Sequence, residues 1–198
     1  VTALIFDVAN VIVDWDPMRA LAGAVPDEVA NDFLAAEVFW ELNARTDAGM
    51  PLADAVVEMD DQAPHLVDVY RVYLERFPLT VSGPIAGTAE VIRELLAAGV
   101  RCYGLSNWAK ENFNIARRAN PVIDDLADVI VSGEVGLAKP DPEIFRYALD
   151  RFETRADETL MIDDTQGNLD SAAEVGLGTV LFTSAAQLRD ELVRLRLL

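Results

Sequence analysis

Six side chains in this sequence have the types and spacing of a phosphoryl-transfer or metal-assisted hydrolytic site: Asp7, Ser106, Asn107, Lys139, Asp163 and Asp164. Each closes, or closely follows, a short apolar run. Thr2-Ala3-Leu4-Ile5-Phe6 ends in Asp7, Val100–Leu105 ends in Ser106-Asn107, and Thr159–Ile162 ends in Asp163-Asp164. Asp128–Ser132 leads into the loop that carries Lys139. Such runs predict buried strands of a parallel sheet, and in open α/β sheets ligands bind outside the strands' carboxyl ends. Carboxylates at Asp7 and Asp164 suit a hard divalent ion such as Mg²⁺. Backbone amides after Asp7, the Ser106 hydroxyl and the Lys139 ammonium suit a phosphate. Asp7 then has an oxygen free to attack phosphorus and form an aspartyl-phosphate.

Elements that place these residues can be read along the chain. After Asp7, Val8-Ala9-Asn10 makes a tight turn and Val11-Ile12-Val13 an apolar return, stopped by Asp14-Trp15-Asp16-Pro17. From there to Thr80 helical periodicity dominates. Val29, Phe33, Ala36 and Trp40 form one stripe, Leu52 to Met59 a second helix, and Leu66, Tyr70, Tyr73 and Phe77 a face after Pro64. Residues 15–80 therefore read as an all-helical insertion in a core made of 1–14 and 81–198. In that core Ile85, Ala89, Ile92 and Leu96 predict a helix ended by Gly99. Further helices are expected over roughly 108–118 and 142–151, then after Asp164 with Leu169, Ala172, Ala173 and Gly176 on one face. Gly178–Phe182 gives a fifth strand and Ser184–Arg194 a last helix. Strands alternating with helices indicate an α/β, doubly wound parallel sheet.

Composition limits the partners. The chain has 198 residues, 52% of them hydrophobic, enough to bury a core. Its 34 acidic against 16 basic residues give a net charge of −18, which disfavours nucleic acid and anionic membranes. No apolar stretch approaches a membrane span, and the start lacks the basic region of a signal peptide. The single cysteine, Cys102, sits in a strand pattern and reads as a buried structural thiol. Having no possible internal disulfide fits a cytoplasmic setting.

In order and spacing, Asp7, Ser106-Asn107-Trp108, Lys139-Pro140-Asp141-Pro142 and Met161-Ile162-Asp163-Asp164 resemble the four motifs of the haloacid dehalogenase-like hydrolases. The resemblance covers essentially the whole chain. It implies a Rossmann-like core with strand order 5-4-1-2-3 and a helical C1 cap in the 15–80 insertion. It also implies Asp7 as nucleophile, Ser106 and Lys139 as phosphate ligands, and Mg²⁺ on Asp7, Asp164 and the Ala9 carbonyl. Asp163 would hold the metal through water or lie beside Lys139, while Asn107, Ala9 and Asn10 face the substrate. For Asn10, shaping the turn is the favoured role over touching substrate.

One departure carries weight. Family phosphatases place a second Asp, the general acid/base, two residues after the nucleophile, where this chain has Ala9. That pattern resembles small bacterial sugar-1-phosphate phosphatases, and it predicts a small phosphorylated, sugar phosphate-like substrate, possibly anomeric. Two other readings stand beside the phosphatase: a metal-independent haloacid dehalogenase, and a catalytically degenerate binding domain. Asp14 is expected to serve local structure and Asn168 to brace the loop or helix start. Phe39, Trp40 and Arg45 are open between lining the pocket and, respectively, core packing and solvation. Arg19 facing the site is a lesser option, and His65 reads as a surface or capping residue. The oligomeric state is not encoded in any of these patterns.

Overall fold

The computed structural model describes residues 1–198. β1 (Ala3–Phe6) is buried along its whole length. Alternation sends Leu4 and Phe6 into the larger hydrophobic core and Ala3 and Ile5 into a smaller one on the opposite face. β2 (Val13–Trp15) follows, and then five helices: α1 (Met18–Leu21), α2 (Asp27–Ala35), α3 (Glu37–Asp47), α4 (Leu52–Gln62) and α5 (Val67–Glu75). The chain returns through β3 (Val81–Pro84), α6 (Thr88–Ala97) and β4 (Arg101–Ser106). Next come α7 (Phe113–Ala119), β5 (Val129–Val131), α8 (Ser132–Val135) and α9 (Pro142–Arg151). β6 (Thr159–Asp163), α10 (Gln166–Glu174), β7 (Gly178–Leu181) and α11 (Ala185–Arg194) complete it. No helix is long and apolar enough to cross a membrane.

Five strands form one parallel sheet in the order β5-β4-β1-β6-β7. Counted among themselves from the β7 edge, they run 5-4-1-2-3, the order the family resemblance implies. β2 and β3 are additional to it. They pair antiparallel as a separate ribbon, Val13 opposite Pro84 and Asp14 opposite Gly83, at the two ends of the helical segment α1 to α5. Side chains tie this ribbon together. Arg19 Nη2 donates to Asp14 Oδ2 at 2.7 Å, Arg19 Nη1 to the Thr80 carbonyl at 3.2 Å, and Ser82 Oγ to Asp14 Oδ2 at 2.5 Å. Asp14 is therefore structural, as expected, and Arg19 serves the ribbon instead of the site.

Several helix expectations shift. The stripe through Val29 and Trp40 is not one helix: Ala36 adopts extended backbone (ψ 125°) and divides α2 from α3. Phe33 and Phe39 pack across that break with ring centroids 4.6 Å apart, leaving Val29 and Trp40 exposed. α7 begins at Phe113, so Trp108 to Asn112 are loop. On α6 the buried face is Val91, Ile92 and Leu95, while on α10 Ala173 is exposed and Ser171 buried. Gly99 takes φ +82° after α6, as its C′ position requires. Cys102 is fully buried, which pushes its thiol up to about 12, and His65 is exposed.

Candidate active site

β1, β4 and β6 end side by side, so Asp7, Ser106 and Asp163 arrive at one edge of the sheet. Lys139 enters from the loop between α8 and α9. Its ammonium lies 2.9 Å from Asp7 Oδ1 and 2.7 Å from Asp163 Oδ2, with all three side chains buried. Asn107 fixes that lysine through the backbone. Its Nδ2 donates to the Lys139 carbonyl at 2.7 Å, and Lys139 N–H donates to its Oδ1 at 2.8 Å. Asn107 thus borders the site while its amide is spent on Lys139. Asn10 has φ +57°, and its Oδ1 accepts the Trp15 N–H at 3.0 Å, so it braces the turn it was expected to shape.

The carboxylates differ in what remains free. Asp163 is saturated by Lys139, by the Thr165 N–H at 2.8 Å, and by Asn168 Nδ2 at 3.0 and 3.1 Å. Asp7 Oδ1 accepts the Val8 N–H at 2.6 Å as well as Lys139, which leaves Oδ2 without a protein donor. Asp164 stands exposed at the rim, and the Ala9 carbonyl takes no backbone hydrogen bond. Oxygens of Asp7, Asp163 and Asp164 lie within 4.8 Å of one another. Three carboxylates against one ammonium is a donor set with excess negative charge and free oxygens, and it fits a hard divalent cation. Because Asp163 is already fully hydrogen-bonded, Asp164 and the Ala9 carbonyl are left free for such a cation, and Asp7 Oδ2 stands unengaged beside them.

Electrostatics agree with that reading. Burial pushes Asp7 up to about 7, with Lys139 opposing and Asp163 and Asp164 adding to the rise. Burial also raises Asp164, helped by Asp163. For Lys139 burial acts against the charge, but Asp7 and Asp163 outweigh it and hold the ammonium above its ordinary range. The Ser106 hydroxyl is fully buried beneath this cluster's strand end and has no hydrogen-bond partner.

Two adjoining cavities open here. The polar one is lined by Asp7, Asn10, Lys139, Asp164, Thr165 and Asn168. A second, of about 630 Å³ including its open mouth, is walled largely by apolar side chains from the sheet edge and α3 to α5. Ala9, Trp15 and Asn107 border both. Of the insertion residues left open by sequence, Trp40 lines the second cavity, Phe39 is core, and Arg45 pairs with Glu58 at the surface. Sequence reasoning passed over Asp47, the last residue of α3, which also lines that cavity. Burial pushes its carboxyl up to about 7, the Ala109 N–H pulls it down, and Asp7 adds to the rise. No local pattern marks Asp47, since only packing brings the end of α3 to the sheet edge.

This sheet, with its strand-end carboxylates and buried lysine, defines a class. The model of the haloacid dehalogenase-like hydrolases matches residues 1–176, and the chain belongs to that family. It is 25% identical over 200 residues to the drimenol cyclase drtB of Aspergillus calidoustus, covering 98% of this chain and 36% of that protein. It is 31% identical over 94 residues to the sesquiterpene phosphatase astK of Aspergillus oryzae, 48% of each chain. With (S)-2-haloacid dehalogenase 1 of Pseudomonas sp. it shares 28% over 142 residues, 72% of this chain and 59% of the other. The chain thus spans between about a third and three fifths of the length of these curated relatives. Among solved structures, the HAD family enzyme bt-2542 of Bacteroides thetaiotaomicron, in complex with magnesium and inorganic phosphate, has the same fold. Its TM-score is 0.71 at 18% identity, covering 93% of this chain and 95% of that one.

Proposed function

We propose that the chain is a Mg²⁺-dependent phosphatase that hydrolyses a small phosphate monoester through an aspartyl-phosphate on Asp7. The observation that carries this is the asymmetry of Asp7: Lys139 and the Val8 N–H hold Oδ1, while Oδ2 is free of protein donors. In the first step Oδ2 forms a bond to phosphorus as the bond to the ester oxygen breaks, and the departing oxygen takes up a proton from water. In the second, water attacks that phosphorus, releasing inorganic phosphate and restoring the Asp7 carboxylate. Lys139 orients the nucleophile and places positive charge beside the transferring group. Ser106, whose hydroxyl lacks a partner, is suited to donate to a phosphoryl oxygen. Asp163 and Asn168 keep Lys139 in place. Asp164 and the Ala9 carbonyl, with the Asp7 carboxylate beside them, would hold a Mg²⁺, which would supply charge neutralisation as the anionic phosphate approaches.

In this reading residues 15–80 act as a helical cap over a core of 1–14 and 81–198. Ala9 removes the usual general acid, worth about 10²–10⁴-fold in rate, or roughly 3–5.5 kcal/mol. Esters whose leaving group needs little protonation are therefore favoured, among them anomeric sugar phosphates and acyl phosphates. Relatedness to a sesquiterpene phosphatase supports phosphoryl chemistry. The test is a phosphate-ester panel with Mg²⁺. Turnover that EDTA abolishes, that Asp7→Asn abolishes, and that is faster on glucose 1-phosphate than on glucose 6-phosphate is expected. A marked preference for the 6-phosphate counts against the leaving-group argument.

A second reading has an observation of its own. Similarity to a haloacid dehalogenase, together with Ala9, fits attack of Asp7 on carbon without metal. Halide release from 2-chloropropionate that persists in EDTA would replace the phosphatase reading.

A further inference from the structure

We propose that the organic group this site accepts is apolar, bearing few or no hydroxyls, and sits in the chamber walled by Trp15, Trp40, Tyr73 and Trp108. The proposal rests on the phosphate-ester reading and narrows it. Its first support is continuity. The chamber and the polar cavity of Asp7 and Lys139 share Ala9, Trp15 and Asn107, so a ligand whose phosphate lies on the carboxylate side extends its remainder past Ala9. At that position a family phosphatase would carry an acid, and here there is a methyl group.

The walls supply the second support. Ten of the fifteen residues lining the chamber are hydrophobic, and all three tryptophans of the chain are among them. They come from distant segments: Trp15 from β2, Trp40 from α3, Tyr73 from α5 and Trp108 from the loop after β4. Trp15 and Trp40 meet edge to face with centroids 6.4 Å apart, and Trp108 meets Phe77 at 6.0 Å.

Polar groups on the same walls are mostly committed elsewhere. Asn43 Nδ2 donates to Asp47 Oδ2 at 3.2 Å, and Thr46 Oγ1 donates to the Asn43 carbonyl at 2.8 Å. Both ends of the Asn107 amide are taken by Lys139. The Trp108 Nε1–H and the Tyr73 hydroxyl are buried without a partner, and Tyr70 and Asn112 also line the wall. These groups are few on a wall two thirds of whose residues are hydrophobic, so the several hydroxyls of a sugar ring would exchange water for a largely apolar surface. Every hydroxyl buried there without a partner weakens binding roughly 5- to 150-fold. Each methylene buried instead strengthens it about fourfold. A sugar phosphate is the poorer fit on both counts. Burial also disfavours charge on Asp47.

Binding and turnover are to be measured separately on the Mg²⁺-loaded chain. Tryptophan fluorescence reads binding of hexylphosphonate and methylphosphonate, which cannot be hydrolysed. Half-burial of the hexyl chain predicts a preference of about 30-fold for hexylphosphonate. Trp40→Ala, a change at an exposed side chain, is expected to cut that preference about fivefold. Between two primary alkyl esters, hexyl phosphate should exceed glucose 6-phosphate in kcat/KM by at least about tenfold. Equal binding of the two phosphonates, or faster turnover of glucose 6-phosphate, overturns the proposal. Tight hexylphosphonate binding with no ester hydrolysed supports the chamber's ligand class and instead overturns the phosphatase reading.

Discussion

Lys139→Met removes the one cation from a buried cluster of carboxylates while nearly keeping side-chain volume. In the native protein its ammonium lies within 2.9 Å of Asp7 and 2.7 Å of Asp163, and the three side chains are 1%, 9% and 0% exposed. Breaking a buried pair by deleting one partner costs about 3–5 kcal/mol, because the other charge is left uncompensated. Here two carboxylates lose the same partner, so the upper part of that range is expected at pH 8. Against a typical total of about 5–15 kcal/mol, that leaves the variant marginal. The loss must depend on pH. Asp7 is already raised to about 7 with the lysine present, and it rises further without it. A carboxyl whose folded pKa exceeds its unfolded value binds protons more readily in the fold, so stability falls as pH climbs through that window. At pH 5 the carboxyl is protonated and the deletion is milder. Lys139 titrates far above both conditions and adds no slope of its own. Urea denaturation of both proteins at pH 5 and pH 8, in EDTA, measures the difference. A loss under about 1 kcal/mol at pH 8, or equal losses at the two pH values, refutes the claim that the lysine offsets two buried negative charges.

Three further perturbations follow from the same geometry. Mg²⁺ should raise the melting temperature, EDTA should reverse the gain, and Asp164→Asn should abolish most of it while leaving the metal-free protein within about 1 kcal/mol of wild type; an unchanged Mg²⁺ response would remove Asp164 from the donor set. Asp47→Asn should gain stability relative to wild type between pH 5 and pH 8, by about 1–2 kcal/mol once solvent access is allowed for, since ionising this carboxyl above its ordinary value works against the fold. A flat difference across that pH range in chemical denaturation would contradict it. Gly133→Ala would set a Cβ 2.7 Å from both the Lys110 nitrogen and the Trp108 carbonyl oxygen. Backbone must move, so a loss of about 1–3 kcal/mol is expected in urea titration, with altered tryptophan emission from the displaced Trp108 loop.

Much of the catalytic edge is written locally. A short apolar run followed by a carboxylate encodes a buried strand and what stands at its end, because a strand covered on both faces admits only apolar side chains until the chain leaves the sheet. That is why Asp7 and Asp163 could be placed from sequence, Ser106 likewise at the end of its own apolar run, and why five apolar runs gave the strands of the sheet. Family motifs in turn supplied Asn107 and Lys139, which structure joins by two hydrogen bonds between the Asn107 side-chain amide and the Lys139 main chain, across 32 residues. The stripe from Val29 to Trp40 shows where local reading fails. Its spacing is helical, yet Ala36 turns extended so that Phe33 and Phe39 can both reach the core, and no periodicity reports that competition. The β2–β3 ribbon was equally hidden, since its two short strands lie 65 residues apart and pair only because the helices between them fold back. Tertiary packing alone decided the chamber. Trp15, Trp40, Asp47, Tyr73 and Trp108 come from four separate segments, Trp40 and Asp47 sharing α3, and of the five only Trp40 was open to a pocket role from sequence. A pocket wall is a property of how elements meet, so the chain declares the reactive end of its site residue by residue, whereas the end that chooses what is bound exists only once the helices have docked on the sheet.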